Sequence, residues 1–201
     1  MQNTTSLILG CLLALTNLTA IIIYFQKARI GSSTPNAASW MIWFGVSLVN
    51  LFTYQFGTGD WVKSINAYVA TGNCFFMFSF CLFRGRMKEI RKLDSMAIYI
   101  ALVALVCWYV SGVAWYGNVF IQFAVAISFA ATFIGVIKGT HHEHALPWLL
   151  WTICHGLTLC IVLLRWDNQP ISLLYPILGI CLNATITVTA SIKNQQIKIA
   201  R

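Results

Sequence analysis

Seven apolar stretches, each long enough to cross a lipid bilayer as a helix, constrain this chain more than any other feature. Crossing about 30 Å of hydrocarbon takes roughly 20 helical residues, and helices satisfy their backbone polar groups internally, as lipid requires. The sequence therefore predicts an all-α integral membrane protein, with residues 1–201 forming a single transmembrane domain. The stretches occupy residues of about 6–25, 38–56, 64–83, 95–114, 118–137, 146–164 and 170–192. Between the fourth and fifth stretches, the tetrad Trp115-Tyr116-Gly117-Asn118 is predicted to form a turn at the membrane interface.

The composition excludes a water-soluble fold. Of the 201 residues, 59% are hydrophobic and only 9% are charged, whereas soluble domains carry about 25% charged residues. All seven cysteines lie inside apolar stretches and no C-x-x-C pair occurs. We therefore interpret the cysteines as small apolar residues of the helices, with no disulfide framework or metal site.

The basic residues predict how the helices are oriented. If the N-terminus lies outside, only Lys63 and Arg165 fall on the outer side, and eleven Lys or Arg residues fall on the inner side. This asymmetry is typical of multi-pass membrane proteins, whose short cytoplasmic loops are rich in Lys and Arg. It predicts a protein of the bacterial inner (plasma) membrane with a cytoplasmic C-terminus, and it accounts for the net charge of +8 without a nucleic-acid partner. The eleven residues are Lys27, Arg29, Arg84, Arg86, Lys88, Arg91, Lys92, Lys138, Lys193, Lys198 and Arg201.

A W-x-x-W motif occurs twice, and its two copies indicate an internal repeat. Trp40 and Trp43 precede Trp148 and Trp151 by 108 positions, and each pair opens an apolar stretch. In the next helix of each half, Tyr68 and Gly72 precede Tyr175 and Gly179 by 107 positions. The sequence therefore predicts two parallel three-helix repeats joined by a linker helix, a 3+1+3 arrangement about an axis along the membrane normal. The predicted bounds are about 1–86 for repeat one, 95–114 for the linker and 118–193 for repeat two, followed by a short basic tail, 194–201.

Each W-x-x-W helix carries a stripe of aromatic and polar residues. Positions three or four apart lie on one helix face, and an unsatisfied polar side chain is costly in lipid. The stripes are therefore predicted to line a substrate pocket between the repeats, although the tryptophans could instead anchor the helices in the headgroup region. The predicted lining residues are Trp40, Trp43, Ser47 and Asn50 on the second helix, and Trp148, Trp151 and His155 on the sixth.

The 3+1+3 pattern with basic inner loops is similar to the SWEET/PQ-loop superfamily of small-solute transporters, over essentially the whole chain. The W-x-x-W also resembles PnuC-type nicotinamide riboside transporters, in which an acidic residue stands about where this chain has His155. The superfamily's Pro-Gln pair is absent from both inner loops. SWEET transporters use an asparagine on the third and seventh helices in their sugar site, so the resemblance implies that Asn73 and Asn183 line the pocket. The alternative for both asparagines is hydrogen bonding between helices.

The histidines fall into two groups, one inside a predicted span and one in a predicted inner loop. His155 is the one histidine inside a predicted span, and no Asp or Glu lies in one. Its imidazole could donate a hydrogen bond to substrate, couple transport to protons, or simply be satisfied by a neighbouring helix. His141-His142-Glu143-His144 is predicted to be a solvated inner loop, because adjacent residues rarely provide a metal geometry. No metal or other cofactor is predicted.

The predicted function is transport of a small polar or aromatic solute, such as a sugar, nucleoside or vitamin, by alternating access between the two repeats. The alternative is a seven-helix receptor or sensor without transport, although the last helix lacks the lysine that a retinal Schiff base requires. An enzyme is not favoured, since Cys154 and His155 are adjacent and point about 100° apart on a helix. The expected partners are the solute and the lipid bilayer, and a homo-oligomer stays open.

Overall fold

The computed structural model describes residues 4–85 and 92–199. In these two ranges the protein is all-helical and contains no strand, as predicted. All seven α-helices are long and apolar enough to cross a membrane, which indicates a multi-pass membrane protein. They are α1 (Thr4–Arg29), α2 (Ala37–Thr58), α3 (Ile65–Phe83), α4 (Lys92–Ser111), α5 (Ala114–Ile137), α6 (Ala145–Leu164) and α7 (Leu174–Ile199), the last preceded by a 3₁₀ turn, Pro170–Leu173.

The break between α4 and α5 lies earlier than the sequence predicted. α4 ends at Ser111, and Gly112 adopts a left-handed conformation (φ 67°) that glycine tolerates at little cost. The tetrad beginning at Trp115 is therefore helical, and the turn predicted there is wrong. Gly117 allows close helix packing instead, because a Cβ at this position would lie 2.9 Å from the carbonyl oxygen of Ala104 on α4.

Six of the helices form a closed ring. In order around the ring, α1 contacts α6, α6 contacts α7, α7 contacts α5, α5 contacts α2, α2 contacts α3, and α3 returns to α1. α4 stands outside this ring, packed against α5 and α2. Only Asp94, Ala97 and Ala104 of α4 are buried, so most of its apolar surface is available to lipid. The ring therefore encloses an interior that α4 does not reach.

At one end of the ring, which we call the basic end, residues 30–36 and 138–144 connect the helices. The backbone N–H of Thr34 donates to the carbonyl oxygen of His142 (3.0 Å), and the N–H of His142 donates to Oγ1 of Thr34 (3.0 Å). Of the basic residues predicted for the inner side, Arg86, Lys88, Arg91 and Arg201 lie outside the described residues.

Matching N-caps follow these two connections. Asn36 Oδ1 accepts from the N–H of Ala38 (3.2 Å) at the start of α2, and His144 Nδ1 accepts from the N–H of Leu146 (3.4 Å) at the start of α6. Such caps satisfy backbone donors that have no partner inside the helix. They fix where the two W-x-x-W segments begin.

At the opposite end, which we call the ion-paired end, residues 59–64 and 165–169 meet. Asp60 Oδ2 lies 2.5 Å from Nε of Arg165, and Lys63 Nζ lies 2.7 Å from Oδ2 of Asp167. Lys63 is almost fully buried by this contact. Both ends of the ring are therefore closed by polar contacts between connections that are far apart in the sequence.

Candidate functional site

A cavity of about 110 Å³ lies inside the six-helix ring. All nine residues that the sequence analysis selected lie on its wall: Trp40, Trp43, Ser47, Asn50, Asn73, Trp148, Trp151, His155 and Asn183. The wall also contains residues that the sequence analysis did not select, among them Asn17, Asn66, Gln122, Phe129, Tyr175 and Gly179. Every helix of the ring contributes to the cavity, and none of the lining residues comes from α4.

The cavity wall carries no Asp, Glu, Lys or Arg side chain among its lining residues. Its polar groups are amides, a hydroxyl, a thiol, a phenol, an imidazole and the indole N–H groups, and the remainder of the wall is aromatic or aliphatic. A charged group without a partner is expensive to bury. The wall therefore suits an uncharged molecule that has both flat apolar surface and hydrogen-bonding groups.

Two further aromatic side chains hold the four indoles in place. Tyr24 packs against Trp40 (ring centroids 5.3 Å apart) and Trp151 (5.7 Å). Phe129 packs against Trp43 (4.7 Å) and Trp148 (5.8 Å). Trp40 and Trp148 are only 8% and 6% exposed. These two indoles therefore lie inside the protein and not at its surface, where headgroup anchors would lie.

Asn17 is the centre of an amide network on one side of the cavity. Its Oδ1 accepts from Asn73 Nδ2 (2.7 Å) and from Trp151 Nε1 (3.1 Å). Its Nδ2 donates to Asn66 Oδ1 (2.8 Å). One buried asparagine of α1 thus fixes side chains of α3 and α6. Asn73 both lines the cavity and bonds a neighbouring helix, so the two interpretations of this residue coexist.

The same network orients His155. Since Asn66 accepts from Asn17 through its oxygen, its Nδ2 faces His155 Nδ1 at 3.4 Å and can only donate. Nδ1 is therefore the acceptor, and the neutral ring carries its proton on Nε2. The imidazole also packs edge-on against Tyr175 (5.0 Å). His155 is satisfied by α3 and is held in a defined orientation at the cavity wall.

A second amide network lies on the opposite side. Asn50 Oδ1 accepts from Gln122 Nε2 (2.7 Å) and from Asn118 Nδ2 (3.2 Å), which joins α2 to α5. Gln122 Oε1 is buried and has no partner among the described residues. Native buried polar atoms usually have a partner. This oxygen, which is buried beside the cavity, is one of the exceptions.

The two remaining predicted residues make local contacts. Ser47 Oγ lies 3.6 Å from Cys74 Sγ, and Asn183 Nδ2 donates to the carbonyl oxygen of Gly179 (2.8 Å) within α7. The predicted inter-helix bonding of Asn183 is thus replaced by a bond within its own helix. Thr158, further along the α6 stripe, bonds the carbonyl oxygen of Cys154 (2.8 Å) and does not line the cavity.

The missed residues carried a signal that the sequence analysis did not use. Asn17, Asn66 and Gln122 are amides in apolar surroundings, and such groups should face the interior of a bundle. The same cost, which placed Ser47, Asn50 and His155 towards the interior, applies equally to these three amides on the first, third and fifth helices. Phe129 carried no such signal, because an apolar ring is equally common on lipid-facing surfaces.

Glu143 corrects the interpretation of its loop as solvated. Its side chain is only 5% exposed. Oε1 accepts from the hydroxyl of Tyr24 (3.1 Å), and Oε2 accepts from Trp148 Nε1 (3.2 Å). Burial raises the pKa of Glu143 to about 7, and the two hydrogen bonds offset part of that rise. Among the described residues, no group of three or more His, Cys, Asp or Glu side chains could hold a metal ion.

Glu143 also borders a smaller cavity of about 20 Å³, between the loops of the basic end and the indoles. Trp40, Trp43 and Trp148 line both cavities. The indoles therefore separate the central cavity from the basic end.

Comparisons of this chain with protein-family models, with curated proteins and with solved structures return no match.

Proposed function

We propose that this protein transports a small, uncharged polar or aromatic solute across a membrane by alternating access. The observation that carries the proposal is the neutral cavity, whose wall comes from both α1–α3 and α5–α7 and which polar contacts close at both ends. A carrier needs one central site that can be closed from either side.

The 3+1+3 repeat is part of this proposal, and matching aromatic contacts support it. Tyr24 and Phe129 are 105 positions apart, in α1 and α5. Tyr24 packs on the first indole of its own half and the second indole of the other half, Trp40 and Trp151. Phe129 makes the corresponding contacts with Trp148 and Trp43. Contacts that interchange in this way are what a two-fold axis through the cavity produces.

Helix neighbours and loop contacts support the same axis. The contacts of α1 with α3 and α6 correspond to those of α5 with α7 and α2. Thr34 and His142, which bond each other, are themselves 108 positions apart, as equivalent residues beside a two-fold axis would be. This is the arrangement that the resemblance to the SWEET/PQ-loop superfamily implies, with α4 as the linker.

The chemistry of the wall supports the proposed class of solute. Four indoles offer flat faces for a ring, and amides on both sides offer donors and acceptors. A sugar, a nucleoside or a vitamin with an uncharged ring fits this description, whereas an inorganic ion or an amino acid zwitterion does not.

For orientation, we propose that the basic end faces the cytoplasm of a bacterial cell and that the N-terminus lies outside. The described part of the chain places Lys27, Arg29, Arg84, Lys138 and Lys193 in or beside the connections and helix ends at the basic end. The opposite end carries Lys63 and Arg165, and an acidic side chain neutralises each of them. An excess of Lys and Arg in short connections favours the cytoplasmic side.

A ligand screen followed by liposome uptake tests the proposal. A solute that binds the folded protein raises its melting temperature by mass action, so a thermal-shift screen of sugars, nucleosides and vitamins identifies candidates. We expect Trp43→Ala, Trp151→Ala and Asn73→Ala to abolish both the shift and uptake of the same solute. Trp61→Ala is the matched control, because this indole is exposed in the 59–64 connection, away from the cavity.

Two outcomes would contradict the proposal. Wild-type uptake in all three cavity variants would exclude the cavity as the transport site. Binding of a solute that never crosses the liposome membrane, in uptake and counterflow assays alike, would favour the receptor alternative.

A further inference from the structure

We propose that Glu143 is a proton-binding site that controls opening of the basic end, so that the basic end opens when Glu143 loses its proton. This inference rests on the proposed transport function and adds a second ligand, the proton, to it. The sequence analysis expected no carboxylate in a span, whereas Asp94 lies in the first turn of α4. Glu143 lies in a connection, yet the fold buries it beside the smaller cavity.

The position of Glu143 links the two sets of helices at the basic end. Its carboxylate accepts from Tyr24 of α1 through one oxygen and from Trp148 of α6 through the other. Its backbone carbonyl oxygen accepts from Asn194 Nδ2 of α7 (3.2 Å). The neighbouring residue His142 bonds Thr34 of the opposite loop. Separation of the basic end would therefore break the Tyr24 contact and admit water to Glu143.

No cation compensates the carboxylate in this closed state. Within residues 4–85 and 92–199, Glu143 forms no ion pair with Lys or Arg. The titratable groups that face it are Tyr24 from α1 and His141, which lines the same small cavity. Trp148 from α6 and Asn194 from α7 are not ionisable. An unpaired carboxylate in such surroundings gains by binding a proton.

The direction of the coupling follows from linkage. Burial raises the pKa of Glu143 from its ordinary value of 4.5 to about 7 in the closed state, and hydration in an open state would return it towards the ordinary value. The closed basic end therefore holds the proton more tightly, by on the order of 100-fold. Acid favours closure, and closure is progressively lost as the pH rises through about 7.

Both forms of the carboxyl group keep a hydrogen bond to Tyr24. The charged form accepts from the phenol hydroxyl, as in this structure. The neutral acid can instead donate its own proton to the phenol oxygen, since a hydroxyl both donates and accepts. The proton comes from water on the cytoplasmic side and returns to it, so the step needs no other reactant.

A metal cation is less well suited to this site than a proton. Each carboxylate oxygen already accepts from an N–H or O–H group, and those donors would oppose a cation. The adjacent cavity, at about 20 Å³, has room for about one water. A sodium site is therefore the alternative that the test has to separate from a proton site.

Infrared difference spectroscopy of the full chain in lipid nanodiscs can detect the proton directly. The chain has only five Asp and Glu residues, so the carbonyl stretch of a protonated carboxyl group should be resolved. We expect a band that disappears as the pH rises through about 7, that is absent from Glu143→Gln, and that persists in Asp94→Asn, which removes another buried carboxylate. A band that persists in Glu143→Gln, or no titrating band in the wild type, would overturn the assignment.

Tyr24→Phe provides a second variant in case Glu143→Gln does not fold. Loss of the hydroxyl removes a bond that stabilises the charged form, so the midpoint of the band should move to higher pH. An unchanged midpoint would contradict the proposed contact. The titration is repeated in sodium chloride and in choline chloride, and a midpoint that depends on sodium would overturn the proton site in favour of a sodium site.

Hydrogen exchange tests the coupling to opening. After correction for intrinsic rates, amides of residues 30–36 and 138–144 should exchange severalfold faster at about pH 8 than at about pH 6 in the wild type, and equally in Glu143→Gln. An equal pH response in both proteins would overturn the coupling. Neither readout requires a solute, so a failed transport assay would refute the proposed transport function and leave the proton site standing.

Discussion

The surroundings of Tyr24 and of Phe129 are built alike and differ in one chemical respect. Each ring packs on two indoles from different W-x-x-W motifs. Tyr24, however, ends in a hydroxyl that donates to Glu143, whereas Phe129 ends in a C–H. The residue 108 positions before Glu143 is Pro35, which has no side-chain acceptor. The hydroxyl and the carboxylate are thus present together on one side and absent together on the other.

The aromatic contacts support the cavity wall, whereas the Tyr24–Glu143 pair makes the two sides of the ring chemically unequal. The aromatic contacts recur on both sides, because both sides must support the same wall. The titratable pair occurs once, so a proton can act on one side of the ring alone. Matching aromatic contacts therefore do not imply matching chemistry, and the first three of the following experiments compare the two sides.

The largest expected effect comes from truncating the two rings. Tyr24→Ala and Phe129→Ala should each destabilise the protein by about 3–5 kcal/mol, because each removes a buried aromatic side chain. Tyr24→Ala should cost roughly 1–3 kcal/mol more, since it leaves the buried Oε1 of Glu143 without its donor. Reversible unfolding in detergent or bicelles measures both values. Equal losses would mean that the Tyr24 hydroxyl contributes nothing to the folded state.

The next largest effect is the difference in stability loss between Asn17→Ala and Gln122→Ala. Asn17 and Gln122 are the amides of α1 and α5 that lie 105 positions apart. Asn17→Ala breaks three side-chain bonds and should destabilise by about 2 kcal/mol, at roughly 0.6 kcal/mol for each membrane hydrogen bond. Gln122→Ala breaks one such bond, to Asn50, and should cost about 0.6 kcal/mol. The same unfolding assay checks the ranking, and the reverse order would refute the proposed central role of Asn17.

A smaller effect, on ligand binding, is expected at the paired glycines Gly179 and Gly72. A Cβ at Gly179 would collide with the ring of His155, whereas a Cβ at Gly72 meets nothing within 4 Å. Gly179→Ala should therefore displace the imidazole and weaken binding of any solute found in the screen by at least about tenfold, or 1.4 kcal/mol. Gly72→Ala should bind as the wild type does. Calorimetry measures the solute affinity of both variants, and equal affinities would exclude His155 from the binding site.

The smallest effect is the pH dependence of stability. Because the pKa of Glu143 is raised in the folded protein, its contribution is fully present below its ordinary pKa and declines as the pH rises through about 7. Between about pH 6 and pH 8, the free energy of unfolding of the wild type should fall by about 1 kcal/mol relative to Glu143→Gln. If the free energy of unfolding depends on pH in the same way in both proteins, Glu143 does not titrate in this range.

Particular residues show how far the sequence could be interpreted. The W-x-x-W spacing led to seven of the selected residues on the cavity wall, because helix periodicity and the cost of polar groups in lipid act within one segment. The other two, Asn73 and Asn183, were selected through the resemblance to the SWEET transporters. The α4–α5 turn was misplaced, since Gly117 serves helix packing and Gly112 ends α4. A sequence pattern cannot separate these two uses of glycine when the neighbouring helix is unknown.

By itself, the sequence determined the seven helices, because length and hydrophobicity decide which segments can cross a bilayer. It also determined which faces of α2 and α6 carry the aromatic and polar stripes. Only the tertiary structure decided that Asn17 joins Asn73 to Trp151, that Gln122 keeps an unpaired oxygen, and that Glu143 is buried. These features depend on contacts between residues far apart in the chain, and burial in the assembled ring raises the pKa of a loop carboxylate.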